Sequence, residues 1–288
     1  MRLFLLTALT MCAFAANSVL NRMAVGPGHI DPVPFAVIRL LAGALMLGVL
    51  ILWRWQVAGG QPLWLGLRGQ AMGSLSLLVY LFGFSLAYGA LDAGFGALIL
   101  FGMVQVTMFA GALLAGERIP ARRWAGAVLA FLGLVYLLSP GSGAEGKLGS
   151  AGLMVAAGIG WGLYSLSARG ARDPLGATAW NFLLAVPVAL LVLVLVPAPA
   201  VSSPTDLKGV ILAVISGAIT SGLGYALWYR LLPELGAARA GVAQLTVPVI
   251  ALLGGMALLH EDLTLRFALS ALLVLGGVAL AVRPATPK

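Results

Sequence analysis

Few residues in this chain could bind or transform anything, and most of them lie inside long apolar stretches. Arg39 is the one ionisable side chain clearly within such a stretch. A charge there costs a few kcal/mol unless it reaches the headgroups or finds a partner. By helical rise it sits about 9 Å from the end of its helix. Two readings stand: an arginine that snorkels outward or caps a neighbour's carbonyls, and one that meets a substrate carboxylate or serves as a gate. Asn17 and Asn21 are spaced i, i+4 and share one helix face. Amides in lipid need partners, so helix-to-helix bonding and cavity lining explain them equally well. Gln105, Asn181 and Gln244 are of the same kind. Gln244 comes one turn before Pro248, and a proline frees the carbonyl four residues back. Freed carbonyls and broken helices are where transporters place their binding sites. Gln244 is therefore assigned to a site, and Pro248 to a hinge.

Three aromatic pairs recur at one-turn spacing: Tyr80 and Phe84, Trp161 and Tyr164, Tyr225 and Trp228. They are either plain packing or the walls of a cavity. As walls they suit an apolar or aromatic substrate with a small zwitterionic head. Trp53, Trp55, Trp64 and Trp124 lie nearer the ends of apolar stretches, as interfacial anchors do. Glu117 and Glu261 each follow an apolar stretch, where the helix dipole disfavours an acid. Both are expected to be structural, capping the following helix or pairing with an arginine such as Arg118 or Arg122.

An intramembrane enzyme would need a Ser/His pair, an Asp pair or a zinc motif within a span. The only histidines, His29 and His260, fall at or beyond span ends. No catalytic residue, metal ligand or cofactor is expected. A channel would want a ring of charges or a carbonyl filter, and neither is visible. With no carboxylate or histidine embedded in a span, facilitated diffusion or weak coupling is favoured over proton drive.

The elements that must hold these residues follow from composition. Of 288 residues 61% are hydrophobic and 9% charged, with mean hydropathy +1.05. Soluble domains carry about 25% charged residues, so lipid must be the solvent. The net charge of +8 is spread singly or in small groups between apolar runs, so no nucleic acid partner is expected. Ten stretches of about twenty apolar residues can be read: 2–24, 33–53, 69–89, 93–115, 121–139, 149–168, 175–196, 207–229, 236–259 and 264–282. Between them come Gly26-Pro27-Gly28, Gly59 to Pro62, Gly141-Ser142-Gly143 and Pro197-Ala198-Pro199, which are loop chemistry. With the N-terminus inside, twelve Lys and Arg fall in inner loops and four in outer ones. Both termini are thus expected in the cytoplasm, with the chain multi-pass in a bacterial-type plasma membrane. The start resembles a signal peptide but is expected to be retained, because residues 14–22 have a counterpart later in the chain. Cys12 is the only cysteine, so no intrachain disulfide is possible.

That counterpart belongs to an internal repeat. Phe14 to Arg22 lies over Trp161 to Arg169, Asp31-Pro32 over Asp173-Pro174, Arg39 over Asn181, and Ala112 to Glu117 over Met256 to Glu261. Five spans per half is odd, so the second half enters the membrane inverted. The expected organisation is one repeat over 1–140 and an inverted one over 147–284. Inverted repeats make two similar states available, which favours alternating access over a fixed pore. Gly158 with Gly162, and Gly69 with Gly73, are pairs that let helices approach closely.

The Gly116-Glu117 after span four, the Glu261 and Gly-rich last span after span nine, and the aromatic start of span six resemble the EamA-type drug/metabolite transporters. The likeness covers essentially the whole chain and is nearest to the YddG-type exporters of amino acids. It implies ten helices around a central cavity lined by spans 1, 3, 4, 6, 8 and 9, with spans 5 and 10 as outer support. Val104 stands where Pro248 stands in the other half, and Phe14-Ala15 where the family pattern has Trp-Gly. The expectation is an all-α integral membrane exporter of small metabolites, namely aromatic or apolar amino acids, held in a lipid bilayer. Export of aromatic or cationic drugs, or a non-transporting scaffold or sensor, are the alternatives.

Overall fold

The computed structural model describes residues 1–58, 67–117, 119–139, 147–167, 171–196 and 205–282. Trp64, Arg118, Arg169 and the three loops 59–62, 141–143 and 197–199 lie outside them. Every regular element among the described residues is helical: α1 (Arg2–Val25), α2 (Pro32–Ala58), α3 (Leu67–Ala87), α4 (Ala93–Leu114), α5 (Ala121–Leu138), α6 (Leu148–Ser167), α7 (Pro174–Leu195), α8 (Leu207–Val214), a π-helical segment (Ile215–Leu223), α9 (Gly224–Gln244), α10 (Thr246–Leu259) and α11 (Leu265–Val282). Nine stretches among them are long and apolar enough to cross a bilayer. The tenth, in α11, is apolar over Leu265–Ala281. The break expected near residues 230–235 is absent. Helix continues past Pro233 to Gln244, and the interruption comes at Leu245.

Polarity is arranged inside out. Leu45, Leu52, Phe131, Leu191, Leu195 and Leu272 face outward, whereas Asn17, Asn21, Arg39, Asn181, Ser216 and Ser221 are buried. A hydrocarbon surround accepts the first set and would penalise the second.

Close packing rests on small residues. α5 and α11 run against each other along Gly126 and Ala130 on one side and Gly277 and Ala281 on the other. A Cβ on Gly277 would stand 2.5 Å from the Ala130 amide nitrogen. Gly158 of α6 meets Leu100 and Met103 of α4, Gly162 meets Thr107, and Gly160 meets α3 at Ser76 and Tyr80. α1 packs on α10 and on the rod from α8 to α9, as α6 packs on α4 and α3. α2 packs on the π-helical segment, and α7 on α3. Each of these contacts maps onto another when the first five spans are exchanged for the last five; α5–α11 and α2–α7 map onto themselves.

One end of the bundle is tied by a side-chain hydrogen bond between loops. Asp206 caps α8 through the Gly209 N–H at 2.8 Å and lies 2.7 Å from His29 Nδ1. The Gly209 N–H, and after it His29, hold the Asp206 carboxyl below the ordinary carboxylate range. A lowered value means that its stabilisation is full above that range and fades as pH falls through the lowered pKa.

Two outcomes follow. Gly277→Leu should destabilise the protein by about 1–3 kcal/mol through overpacking against α5, read as an earlier thermal transition in detergent. Asp206→Ala should lower the transition near neutral pH, and the gap to the parent protein should narrow as the buffer is made more acidic.

Candidate functional site

The middle of the bundle holds a chain of polar groups that begins at Asn17 on α1. Its Oδ1 accepts from three hydroxyls of the π-helical segment: Ser216 at 2.8 Å, Thr220 at 2.6 Å and Ser221 at 3.4 Å. The wider π turn brings all three hydroxyls to one amide oxygen, and such turns recur at functional sites. Ser221 in turn accepts from Arg39 Nε at 3.1 Å, and Arg39 Nη2 donates to the Tyr80 hydroxyl at 2.9 Å. α1, the π segment, α2 and α3 are thereby joined through neutral groups to one guanidinium.

Arg39 has no exposed surface, so it does not snorkel. Its guanidinium carbon lies 5.3 Å from the Tyr80 ring centre and 4.9 Å from that of Phe84. Ring faces attract cations, and more so when water is excluded. Among the described residues no carboxylate forms an ion pair with it. Its Nη1 has no hydrogen-bond partner. A buried cation so placed has capacity left for one anionic oxygen.

The aromatic residues form a continuous column. Tyr88, Phe84 and Tyr80 follow one another along α3 with ring centres 4.7 and 5.3 Å apart. Tyr80 meets Trp161 at 5.0 Å, and Trp161 stacks on Tyr164 at 5.4 Å and meets Tyr225 at 5.1 Å. Phe14 crosses edge-on to Trp161, Tyr225 and Trp228. The space left among Phe14, Asn17, Ser18, Tyr80, Trp161 and Tyr225 is about 10 Å³. That is room for about one water.

Ten of the twelve expected site residues thus come together around this centre. Asn21 donates to Ser85 at 2.9 Å, and its Oδ1 is unpartnered. Tyr164 donates to Thr178 at 3.0 Å, one turn from buried Asn181, which packs on Gly73 of α3. Gln105 is elsewhere: one turn below Phe101, it lies where α5 and α11 close over α4, beside Phe109 and Arg123. Gln244 is half-buried at the end of α9 and is not among the residues lining the central space. Pro248 is buried in the first turn of α10, directly after the break at Leu245.

Glu261 caps a helix, as expected, but not the following one. Its two oxygens accept the Ala93 N–H of α4 at 2.8 and 2.9 Å, and Arg22 Nε lies 3.7 Å away. α11 is capped instead by Thr264. Glu117 stands 3.9 Å from Arg123. The sequence alone gives no site role to Ser216, Thr220, Ser221 or Ser85, and marks Phe14 only as the repeat counterpart of Trp161. The run Ser216-Gly-Ala-Ile-Thr-Ser-Gly222, small and hydroxylated inside an apolar span, is the signal that marks the first three.

Removing the shared acceptor takes the Ser216 hydroxyl's acceptor away, while Thr220 keeps the Ser216 carbonyl and Ser221 keeps Arg39. Asn17→Ala should therefore cost about 1–3 kcal/mol, measured as an earlier thermal transition in detergent.

The model of the EamA-like transporter family matches residues 1–139 and again 149–283. An uncharacterized protein of Pseudomonas aeruginosa is 46% identical over 283 residues, 98% of this chain and 95% of its own. The uncharacterized transporter YoaV of Bacillus subtilis is 25% identical over 269 residues, 89% of each chain. An uncharacterized transporter of Archaeoglobus fulgidus is 25% identical over 258 residues, covering 88% of this chain and 90% of that one. A solved crystal structure shares the fold with TM-score 0.69 at 20% identity, covering 96% of this chain and 95% of that chain. With lipid-compatible faces outside, polar groups at the centre and the family profile over both halves, the chain is a multi-pass membrane protein of the EamA-like transporter family.

Proposed function

We propose that this transporter exports aromatic or apolar amino acids from the cytoplasm by alternating access. The observation that carries the reading is Arg39: a fully buried guanidinium, with one nitrogen unpartnered, set against aromatic rings. A substrate carboxylate supplies the missing charge, and a charge-assisted pair in a dry site is strong. The rings of Phe14, Tyr80, Trp161 and Tyr225 suit an apolar or aromatic body. Cationic drugs fit less well, because Arg39 repels them. The centre offers amides, hydroxyls and one guanidinium, a set for recognition rather than for nucleophilic chemistry.

Alternating access is supported by the central volume, too small for any amino acid as it stands. The substrate therefore enters in another arrangement of the helices. The exchangeable helix contacts, and the meeting of Phe14 with its counterpart Trp161, support repeats over 1–140 and 147–284 in inverted orientation. The twelve-to-four excess of Lys and Arg supports an orientation with both termini in the cytoplasm, in a plasma (inner) membrane.

Proteoliposomes loaded with unlabelled phenylalanine, tyrosine or leucine should exchange labelled phenylalanine saturably. Arg39→Gln should raise KM about 10- to 100-fold, the worth of a hydrogen bond to a charged group. Trp161→Ala should blunt the preference for aromatic over aliphatic substrates. Exchange of phenylalaninamide as good as that of phenylalanine, or an unchanged KM in Arg39→Gln, would contradict the reading.

A further inference from the structure

Four helices begin after an aspartate, α2 after Asp31, α4 after Asp92, α7 after Asp173 and α8 after Asp206, and the last two aspartates cap their own helix. Asp173 accepts the Gly176 N–H at 3.0 Å, and Asp206 the Gly209 N–H at 2.8 Å. Asp92, in front of α4, makes no such bond. It faces Arg22 at 3.6 Å and Lys147 at 3.5 Å instead. The first N–H of α4 goes to Glu261, which arrives from the far end of α10. A carboxylate is favoured at a helix N-terminus from either source. α4 therefore has two capping groups of like chemistry, one in its own chain segment and one in another.

The trans cap is held firmly. The Glu261 side chain is only 8% exposed, whereas Glu117, its counterpart in the repeat, is 46% exposed. His260, just before it, is the only non-glycine residue with positive φ (55°) among the described residues. That turn returns the Glu261 N–H to the Gly255 carbonyl at 3.2 Å. Arg22 ties the arrangement to α1 through the Tyr88 and Gly89 carbonyls, both at 3.2 Å. Around this end Ala24, Ile30, Tyr88, Leu91 and Ala93 are fully buried. At the other end of α4, Ala110, Leu113 and Leu114 are exposed. The end of the bundle that carries Glu261 is closed.

We propose that this end opens by exchange of the cap on α4: Glu261 leaves with α10, and Asp92 turns to take its place. A helix end in a low-dielectric surround cannot be left uncapped cheaply. A second carboxylate already in position keeps the open and closed states close in free energy, as a carrier requires. Glu261 locks the closed state and Asp92 supports the open one, so the two acids act in opposite directions. Burial first, and Asp92's charge after the opposing Ala93 N–H, hold the Glu261 carboxyl above its usual range, with Arg22 acting against this. A glutamine at this position keeps an oxygen that can accept the Ala93 N–H.

The inference rests on the alternating-access reading, and its test needs no substrate. Cys12→Ala with Ser18→Cys puts a single thiol at the central space, and an impermeant thiol reagent is added from the side of Glu261. Glu261→Ala should speed labelling about fivefold, the factor implied by a cap worth about 1 kcal/mol. Asp92→Ala should slow it by a similar factor, and Glu261→Gln, which keeps an acceptor, should stay near the parent rate. If both alanine variants speed labelling, the acids merely stabilise the fold and the exchange is wrong. If neither changes the rate, it is wrong as well. A failure of counterflow with these opposite shifts intact would strike the substrate reading and leave the cap exchange standing.

Discussion

A guanidinium held without solvent inside a hydrocarbon-embedded bundle sets conditions that much of the interior then meets. Arg39 is fully buried and cannot reach the headgroups, so its charge has to be balanced where it stands. Ser221, Tyr80 and two ring faces balance part of it. Ser221 is available because the π-helical turn brings it beside Ser216 and Thr220, all three directed at Asn17. The turn is possible because Gly217 lets that segment lie against the α2 backbone at Arg39. Charge, turn and small residue thus form one arrangement, in which altering any member unbalances the others. What it leaves over is Nη1, a donor in a dry site. A site of this kind gains most from a partner that brings its own negative charge.

The aromatic column surrounds that charge with ring faces. Tyr88, Phe84 and Tyr80 climb α3 at intervals of one turn, and Trp161, Tyr164 and Tyr225 continue the contact across α6 and α9. Rings at edge and offset-stacking distances hold one another without hydrogen bonds, so they can part and close again at modest cost. Glycines at the α4–α6 and α5–α11 crossings bring the backbones close while presenting few side chains that interlock. Packing of this sort suits helices that must slide. Among the described residues the Arg–carboxylate pairs lie near helix ends, as Arg22 with Glu261 and Arg54 with Asp173 do. Middle and ends therefore differ in kind, with rings, hydroxyls and one guanidinium at the centre and ion pairs at the helix ends.

Much of the fold was legible because its signals are long-ranged. Twenty-residue apolar runs, loop glycines and prolines mark spans whatever the details of packing. The exception, helix through Pro233 to Gln244, arises where a short polar interval reads as a loop though helix can continue across it. At the centre, polarity in an apolar span picked out Asn17, Asn21, Arg39 and Asn181, and one-turn aromatic spacing picked out the column. Gln105 met the same criterion yet lies beneath α5 and α11, because residue type does not say which neighbour covers a helix face. Ser216, Thr220 and Ser221 escaped for another reason. Hydroxyls in spans usually bond back to their own helix, as Thr107 does to Met103, and here the π turn aims three of them at α1 instead. Glu261 was expected to cap a helix, and does, but its choice of α4 is a tertiary fact with no local sign.

The measurement that bears most directly on the central claim is the ligand-induced shift in thermal unfolding of the detergent-solubilised protein. It would compare phenylalanine with phenylalaninamide, on the parent chain and on Arg39→Gln. Binding to the native state raises the transition in proportion to ligand occupancy. The account predicts a saturable shift with phenylalanine, none with the amide, and none with either ligand in Arg39→Gln. An equal shift with the amide, or a shift that survives in Arg39→Gln, would show that the buried arginine does not receive the substrate's carboxylate.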